Sequence, residues 1–273
     1  MSIELQSWTV FYKDLASHLT TDKNSNLIEI YDDEHHYMTK VLRLNVGHKL
    51  FVTDGHGTQA CGVTVSLDKK KTVIQLSEIK TTPTNNIKIS ILLGQPKPST
   101  LEECVSLASK MGCSDLHIFT GDRTQIKTQP RIEKLQKISM ESLRISKGTY
   151  ATNIHYWESL EKIFFQTMSH ENKTQSEEVF YFCDEKFIYD KEISKSFLVD
   201  LQELCQKKDL RSDLKTEMIF HILIGPESGF SKGERDFIIH HLHARPVNLG
   251  PFILEVPNAL VSVMAVINQL FYR

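Results

Sequence analysis

The sequence predicts an α/β fold with a mostly parallel sheet, preceded by a smaller β-rich domain. Up to about residue 80, short alternating apolar segments are joined by turns rich in Gly, Asp and Lys, as in a small barrel or antiparallel sheet. From residue 87 onward, apolar runs of strand length alternate with amphipathic runs of helix length, the pattern of a parallel sheet covered on both faces. The polar segment Thr81–Asn86 separates the two patterns. We therefore predict a β domain at residues 1–82 and an α/β domain at residues 83–273.

Four alternating segments predict the strands of the first domain: Trp8–Tyr12, Lys49–Thr53, Gln59–Ser66 and Thr72–Ile79. Before the second strand, Asp33–Leu42 predicts a short helix. Its apolar face is expected to carry Tyr37, Met38, Val41 and Leu42.

Apolar runs predict the strands of the second domain: Ile87–Leu93, Leu116–Thr120, Val179–Cys183, Met218–Ile224 and Arg245–Leu249. Amphipathic segments predict its helices: Ser99 or Thr100 to Lys110, Pro130–Ser146, Trp157–Met168, Ser194–Lys207, Lys232–Leu242 and Asn258–Phe271. Ser231 and Glu234 have the spacing of a capping box, and Asn258 suits an N-cap better than a catalytic role.

The composition fits a soluble protein of a reducing compartment, with 40% hydrophobic and 24% charged residues. No apolar run approaches the length of a membrane span, and the N-terminus lacks a signal-peptide pattern. The five cysteines are scattered without a CxxC pair, so neither a zinc site nor a disulfide framework is indicated. We expect a cytoplasmic protein without a metal and without membrane association.

The formal net charge of −2 does not by itself indicate a nucleic-acid partner. Between Gly121 and Tyr150, however, seven basic residues stand against three acidic ones. Local basic clusters on a nearly neutral chain bind phosphates in some proteins and are solvated helix faces in others. Both interpretations remain open for this segment.

Two Gly-Pro loops follow predicted strands. Gly225–Gly229 ends the strand Met218–Ile224 before the capping box, and Leu249–Pro251 ends a strand about twenty residues later. A strand, a tight loop and a helix N-terminus often hold a ligand in α/β proteins, although a simple turn has the same pattern. Two such loops can line one pocket with backbone donors and acceptors, which suits a purine or a methionine-like ligand. The P-loop and dinucleotide fingerprints are missing.

These loops carry a resemblance. Ile224–Ser231 with Glu234, followed by Leu249–Pro251 and Ile253–Leu254, is similar to the paired cofactor loops of the ribosomal small-subunit methyltransferase E family of the SPOUT superfamily. Similar residues extend over nearly the whole chain: His36, Val41–Arg43, Gly47, Asp54–Gly57, Leu93–Gln95, Lys97, Gly112 and Arg123. The resemblance implies an N-terminal PUA-like RNA-binding domain, a SPOUT-type α/β domain with a trefoil knot, and a homodimer. It also implies S-adenosylmethionine as cofactor and methylation of N3 of a uridine in small-subunit ribosomal RNA.

The resemblance also implies site residues, though no catalytic residue is identified. The cofactor-binding candidates are Ile224, Gly225, Pro226, Glu227, Gly229, Leu249, Gly250, Pro251, Ile253 and Leu254. The RNA-binding candidates are Arg123, Lys97, Arg43, Lys40, Arg144 and Lys147. Two alternatives stay open: Glu227 binds the cofactor or caps a helix, and the pair Asp184–Glu185 touches the ligand or is solvated.

The chain departs from the family pattern in the second loop. Phe252 and Glu255 stand where the family has arginines, and Pro257 where it has a glutamate. In the first loop, Ser228 replaces a usual glycine. The departures leave two hypotheses: an active rRNA methyltransferase, or an RNA-binding homologue that has changed its target or lost methyl transfer.

Overall fold

The computed structural model describes residues 8–17, 26–84, 86–168, 176–188, 194–208 and 217–271. They form two compact units, one made of residues up to 84 together with 143–151, the other of residues 85–142 together with those from 152 onward. The sequence-based division placed residues 143–151 in the second domain, whereas the structure groups them with the first unit. None of the described helices has the length and apolar character needed to cross a bilayer.

The first unit contains a five-stranded sheet. Its strands in chain order are β1 (Trp8–Phe11), β2 (Leu27–Ile30), β3 (Lys49–Thr53), β4 (Thr58–Leu67) and β5 (Thr72–Thr81). They are arranged β1-β3-β4-β5-β2, with β1 parallel to β3 and every other neighbouring pair antiparallel. The four predicted strands are confirmed. The fifth, β2, was not predicted, although the burial of its four residues alternates as expected for a strand.

The helix predicted at Asp33–Leu42 is present, but its predicted apolar face is partly wrong. An α-helix (α1) spans Asp32–His36 and continues as a π-helical turn over Tyr37–Val41. Met38 is fully buried, whereas Val41 is 62% exposed. The wider π turn breaks the 3.6-residue spacing on which the prediction rested. His35 is buried instead, with its Nδ1 2.8 Å from Thr72 Oγ1.

The second unit contains a seven-stranded sheet in which every pairing is parallel. Its strands are β6 (Ile87–Gly94), β7 (Asp115–Phe119), β8 (Asn153–Trp157), β9 (Ser176–Cys183), β10 (Lys195–Ser196), β11 (Glu217–Ile224) and β12 (Arg245–Asn248). They are arranged β10-β12-β9-β11-β6-β7-β8. The predicted parallel sheet is confirmed, and its central strands β6 and β11 are nearly continuous buried runs.

Helices accompany this sheet on both faces. They are α2 (Pro98–Lys110), α3 (Ile132–Ser146), α4 (Leu160–Ile163, continued by a π turn to Met168), α5 (Phe197–Lys208), α6 (Lys232–His240) and α7 (Val256–Phe271). One core cluster joins α2, α5 and α7 to the sheet, and a second joins α4 and α6 to its opposite face. The apolar residues therefore alternate between two cores along each central strand.

Five helix starts differ from prediction: α3 begins at Ile132 instead of Pro130, α5 begins at Phe197 instead of Ser194, and the other three are α2, α7 and α4. α2 begins at Pro98 with Lys97 as its N-cap, because proline suits the first helical position and needs no hydroxyl cap. α7 begins at Val256, so Asn258 lies inside the helix and is not its N-cap. The segment predicted as the helix Trp157–Met168 instead ends strand β8 at Trp157 and becomes helical at Leu160, capped by Ser159.

Candidate functional site

A cavity of about 520 Å³ opens at the carboxyl ends of the parallel strands. Ligands of open α/β sheets bind at this edge, and the volume lies within the usual range of small-molecule sites. Five segments contribute its lining: the start of α2, the end of β9, the loop after β11, the end of β12 and the loop that leads into α7.

The structure brings the two Gly-Pro loops around this one cavity. Eight of the ten cofactor-binding candidates line it: Ile224, Gly225, Pro226, Glu227, Gly229, Leu249, Ile253 and Leu254. Gly250 and Pro251 belong to the second loop but lie outside the lining. Because β11 and β12 both flank β9, the loops that follow them converge on the same edge. The role of these residues in cofactor binding stays a prediction.

Close packing of backbone against backbone shapes the first loop. A Cβ atom at Gly94, the last residue of β6, would stand 2.4 Å from Pro226 Cδ and 2.8 Å from Pro226 N. Gly229 has a φ of +68° and donates its N–H to Pro226 O at 2.8 Å. These positions require glycine, since a side chain would either collide or adopt a strained backbone. The first loop therefore packs directly against the carboxyl end of β6, with Pro226 in contact with Gly94.

Glu227 acts as a helix cap. Its Oε1 accepts a hydrogen bond from the backbone N–H of Lys97, the N-cap of α2, at 3.1 Å. A carboxylate is favoured there because the helix N-terminus carries partial positive charge. Of the two alternatives for Glu227, the contacts favour the cap. The side chain of Lys97, an RNA-binding candidate, is exposed at the same cavity.

Arg123 lies next to the first loop and is bonded to it. Its Nη1 donates to Ser228 O at 3.1 Å, and Ser228 Oγ donates to Arg123 O at 2.5 Å. The predicted capping box of Ser231 and Glu234 is present, and Glu234 Oε1 also accepts the Asp122 N–H at 3.1 Å. The hydroxyl that replaces the usual glycine thus ties the loop after β7 to the loop after β11.

The pair Asp184–Glu185 separates into two different environments. Asp184 is not solvated: its side chain is 1% exposed and forms an ion pair with Arg235, with its Oδ2 2.5 Å from Arg235 Nε. The Lys186 N–H also donates to Asp184 Oδ1 at 3.1 Å. Glu185 is exposed along the cavity wall. Burial raises the pKa of the neighbouring Cys183 thiol to about 12, which keeps this thiol neutral and unreactive.

The cavity wall is acidic. Its charged residues are Lys97, Glu103, Asp184, Glu185, Glu227 and Glu255. Asp184 and Glu227 are engaged as described, while Glu103, Glu185 and Glu255 are exposed. Such a wall favours a ligand that carries positive charge. Among the described residues, no group of three His, Cys, Asp or Glu side chains is arranged to hold a metal ion.

Phe252 is a wall residue that the site prediction did not include. It is 76% exposed, the largest exposure among the large hydrophobic side chains of the described residues. The sequence marked this position only as a departure from the family's arginine. The local sequence did not indicate that the Phe252 ring faces solvent at the cavity. Leu254, two residues later and also apolar, packs against the core.

Arg144 does not have the exposed position expected of an RNA contact. Its guanidinium donates to Glu34 Oε1 at 2.6 Å and to Oε2 at 2.7 Å, and lies 4.5 and 4.1 Å from the ring centroids of Phe11 and Tyr37. Only 14% of its side chain is exposed. These contacts indicate a packing role within the first unit, and a contact of Arg144 with RNA stays a prediction.

The other three basic candidates of this unit, Lys40, Arg43 and Lys147, are exposed, and their contact with RNA stays a prediction. The Lys147 Nζ lies 3.5 Å from Thr9 Oγ1, and partial burial lowers the pKa of this lysine. Arg43 has a φ of +51°.

Two family models match the chain. One, described as an RNA methyltransferase domain, matches residues 83–268, and one described as an RNA methyltransferase PUA domain matches residues 30–76. No curated protein sequence matches the chain.

Solved structures share its fold over nearly the full length. A ribosomal RNA small subunit methyltransferase E of Neisseria gonorrhoeae, bound to S-adenosylmethionine, has a TM-score of 0.75 at 13% identity, covering 97% of this chain and 98% of that one. A Legionella pneumophila protein described as a methyltransferase, in complex with S-adenosylmethionine, has a TM-score of 0.73 at 15% identity, with 98% and 99% covered. A Porphyromonas gingivalis protein described as an rRNA methyltransferase has a TM-score of 0.71 at 19% identity, with 97% and 100% covered.

Proposed function

Because this chain belongs to the RNA methyltransferase family and has an RNA methyltransferase PUA domain before its RNA methyltransferase domain, we propose that it is an S-adenosylmethionine-dependent methyltransferase of ribosomal RNA. The observation that carries this proposal is the single cavity that both Gly-Pro loops line at the carboxyl edge of the parallel sheet. Structures of the same fold from Neisseria and Legionella are described as bound to this cofactor.

The residues of the cavity fit this cofactor. The apolar side chains of Ile224, Leu249 and Leu254 offer surface for an adenine ring, and the loop backbones offer donors and acceptors for its edge. The exposed carboxylates Glu185 and Glu255 suit the positive charge of its amino and sulfonium groups. These apolar surfaces, backbone groups and carboxylates support cofactor binding in this cavity.

The finer proposal is methylation of N3 of a uridine in small-subunit ribosomal RNA. When bound, S-adenosylmethionine supplies a methyl group whose carbon–sulfur bond breaks as the N3–carbon bond forms, leaving a neutral thioether while the N3 proton passes to solvent. The protein must then orient the base and stabilise the negative charge that develops on its carbonyl oxygens. Arg123 is the candidate for that charge, since only one of its guanidinium nitrogens is bonded to Ser228.

Three further features belong to the proposal. We infer a homodimer, a trefoil knot formed by the chain around the two loops, and a cytoplasmic location, all on the basis of the resemblance to the ribosomal small-subunit methyltransferase E family. The first unit, which contains the PUA domain, would hold the RNA with Lys40, Arg43 and Lys147, which are exposed on it.

Mass analysis of small-subunit rRNA from a deletion strain tests the enzymatic proposal. We expect one methyl group to be missing from one uridine, and to return when the wild-type gene is supplied. An unchanged methylation pattern would reject methylation of small-subunit rRNA by this chain.

The second candidate function is RNA binding without methyl transfer. It is favoured by the replacement of two loop arginines by Phe252 and Glu255 and of the glutamate by Pro257. A filter-binding measurement with small-subunit rRNA separates the two. Tight RNA binding with no transfer from labelled S-adenosylmethionine would support this second function.

A further inference from the structure

The second loop presents an aromatic ring at the mouth of the cavity. Leu249 and Leu254 pack against the main core at either end of the loop, and Val256 is buried at the start of α7. Between these anchors, Phe252 is 76% exposed and Ile253 is 59% exposed. The arch is therefore short and fixed at both ends, and its two apolar side chains project from it beside the cavity.

The exposed ring has no structural explanation in the described residues. No ring contact there involves Phe252, whereas the other aromatic side chains around this edge, such as Phe230 and Phe182, are fully buried and meet edge to face. A single exposed phenylalanine is ordinary on a protein surface, but one that lines a ligand cavity is available to whatever approaches the ligand.

We propose that Phe252 is the platform on which the methyl-accepting nucleobase stacks, an inference that rests on the proposed function. A base inside an RNA helix cannot reach a methyl donor held within the cavity, so it must leave its stack. Unstacked RNA bases are held mainly by stacking on aromatic side chains, and a phenyl ring matches the face of a pyrimidine. The ring of Phe252 stands at the cavity mouth, where such a base must come to rest.

The charge of the mouth supports a base in this position instead of the RNA backbone. Glu103, Glu185 and Glu255 are exposed on the same wall against one exposed cation, Lys97, so the wall as a whole repels phosphate groups. An uncharged base meets no such repulsion.

A set of variants tests the stacking role. In Phe252→Ala we expect kcat/KM for small-subunit rRNA to fall roughly 5- to 150-fold, the range of a lost base–aromatic stack, with unchanged S-adenosylmethionine affinity in calorimetry. Phe252→Tyr should keep most of the activity, since it keeps the ring. Phe165→Ala is the matched control because Phe165 is also an exposed phenylalanine of this unit, at 61%, and does not line the cavity. It should leave kcat/KM unchanged.

A second measurement reports stacking without any turnover. In Phe252→Trp, single-stranded oligouridylate added in the presence of S-adenosylmethionine should quench the fluorescence of the introduced indole, and the wild-type protein provides the background of its two native tryptophans. If wild-type protein binds no S-adenosylmethionine, the proposed function fails. If it binds the cofactor, then the absence of quenching, or full activity of Phe252→Ala, overturns the stacking role. If Phe252→Ala converts a dimer to a monomer in sedimentation and Phe252→Trp shows no quenching, then Phe252 lies between two copies of the chain. That result would also overturn the stacking role.

Discussion

Replacing Gly94 by alanine should disturb the cofactor loop while leaving the polar groups of the cavity in place. The added Cβ would lie 2.4 Å from Pro226 Cδ and 2.8 Å from Pro226 N, against a normal contact of at least 3.4 Å. Pro226 must therefore move by about 1 Å, and a misplacement of about 1 Å reduces the efficiency of a site as much as 10²-fold. Overpacking of this kind destabilises a core by about 1–3 kcal/mol.

Calorimetry with S-adenosylmethionine and urea unfolding together measure this effect. We expect cofactor affinity in Gly94→Ala to fall at least about tenfold, or 1.4 kcal/mol. Gly233→Ala is the matched control, since Gly233 lies in α6 and its added Cβ would meet only Ser231 Oγ at 3.8 Å. It should bind the cofactor normally and unfold at slightly higher urea. Wild-type affinity in Gly94→Ala would refute the account of how the loop is held.

Two further predictions concern stability. Arg144→Met should lower the free energy of unfolding by about 3 kcal/mol, because the Glu34 carboxylate, 18% exposed, then loses its charged partner. Urea unfolding measures this change, and a loss below about 0.5 kcal/mol would contradict the packing role. Burial and the neighbouring His155 lower the pKa of His117 to about 4, below the usual value near 6.5. His117 therefore binds a proton more tightly in the unfolded chain than in the folded one. The free energy of unfolding keeps its full value above pH 6.5 and decreases as the pH drops toward 4, by roughly 2 kcal/mol at pH 5. His117→Gln should flatten this dependence in urea titrations at pH 7 and 5, and an equal slope in both proteins would exclude His117 as its origin.

Sequence patterns predicted the elements whose burial is regular. The bounds of β3 were predicted to the residue and those of β6 and β11 to within one, because alternation or continuous apolar character identifies such strands. Strand β8 was missed because it lies at the edge of the sheet, with one of its five residues buried, so its pattern is weak. The π-helical turn after α1 also left no signal in residue spacing.

The candidate site was predictable in its backbone and much less so in its side chains. Glycine and proline mark the two loops by sequence alone, because their conformational roles are local. Contacts between distant residues are not local: Arg144 pairs with Glu34 across 110 positions, and Glu227 bonds to a helix N-cap that lies 130 positions earlier. The exposure of Phe252 likewise depends on where its loop is anchored. These features follow from the fold and cannot be derived from spacing.

A structure from crystals grown with S-adenosylmethionine tests most directly the central claim that both Gly-Pro loops bind this cofactor. The account predicts cofactor density within the cavity at the carboxyl edge of the sheet, between the loop Ile224–Gly229 and the loop Leu249–Leu254. Density at another place, or a cavity still empty at millimolar cofactor, would contradict it.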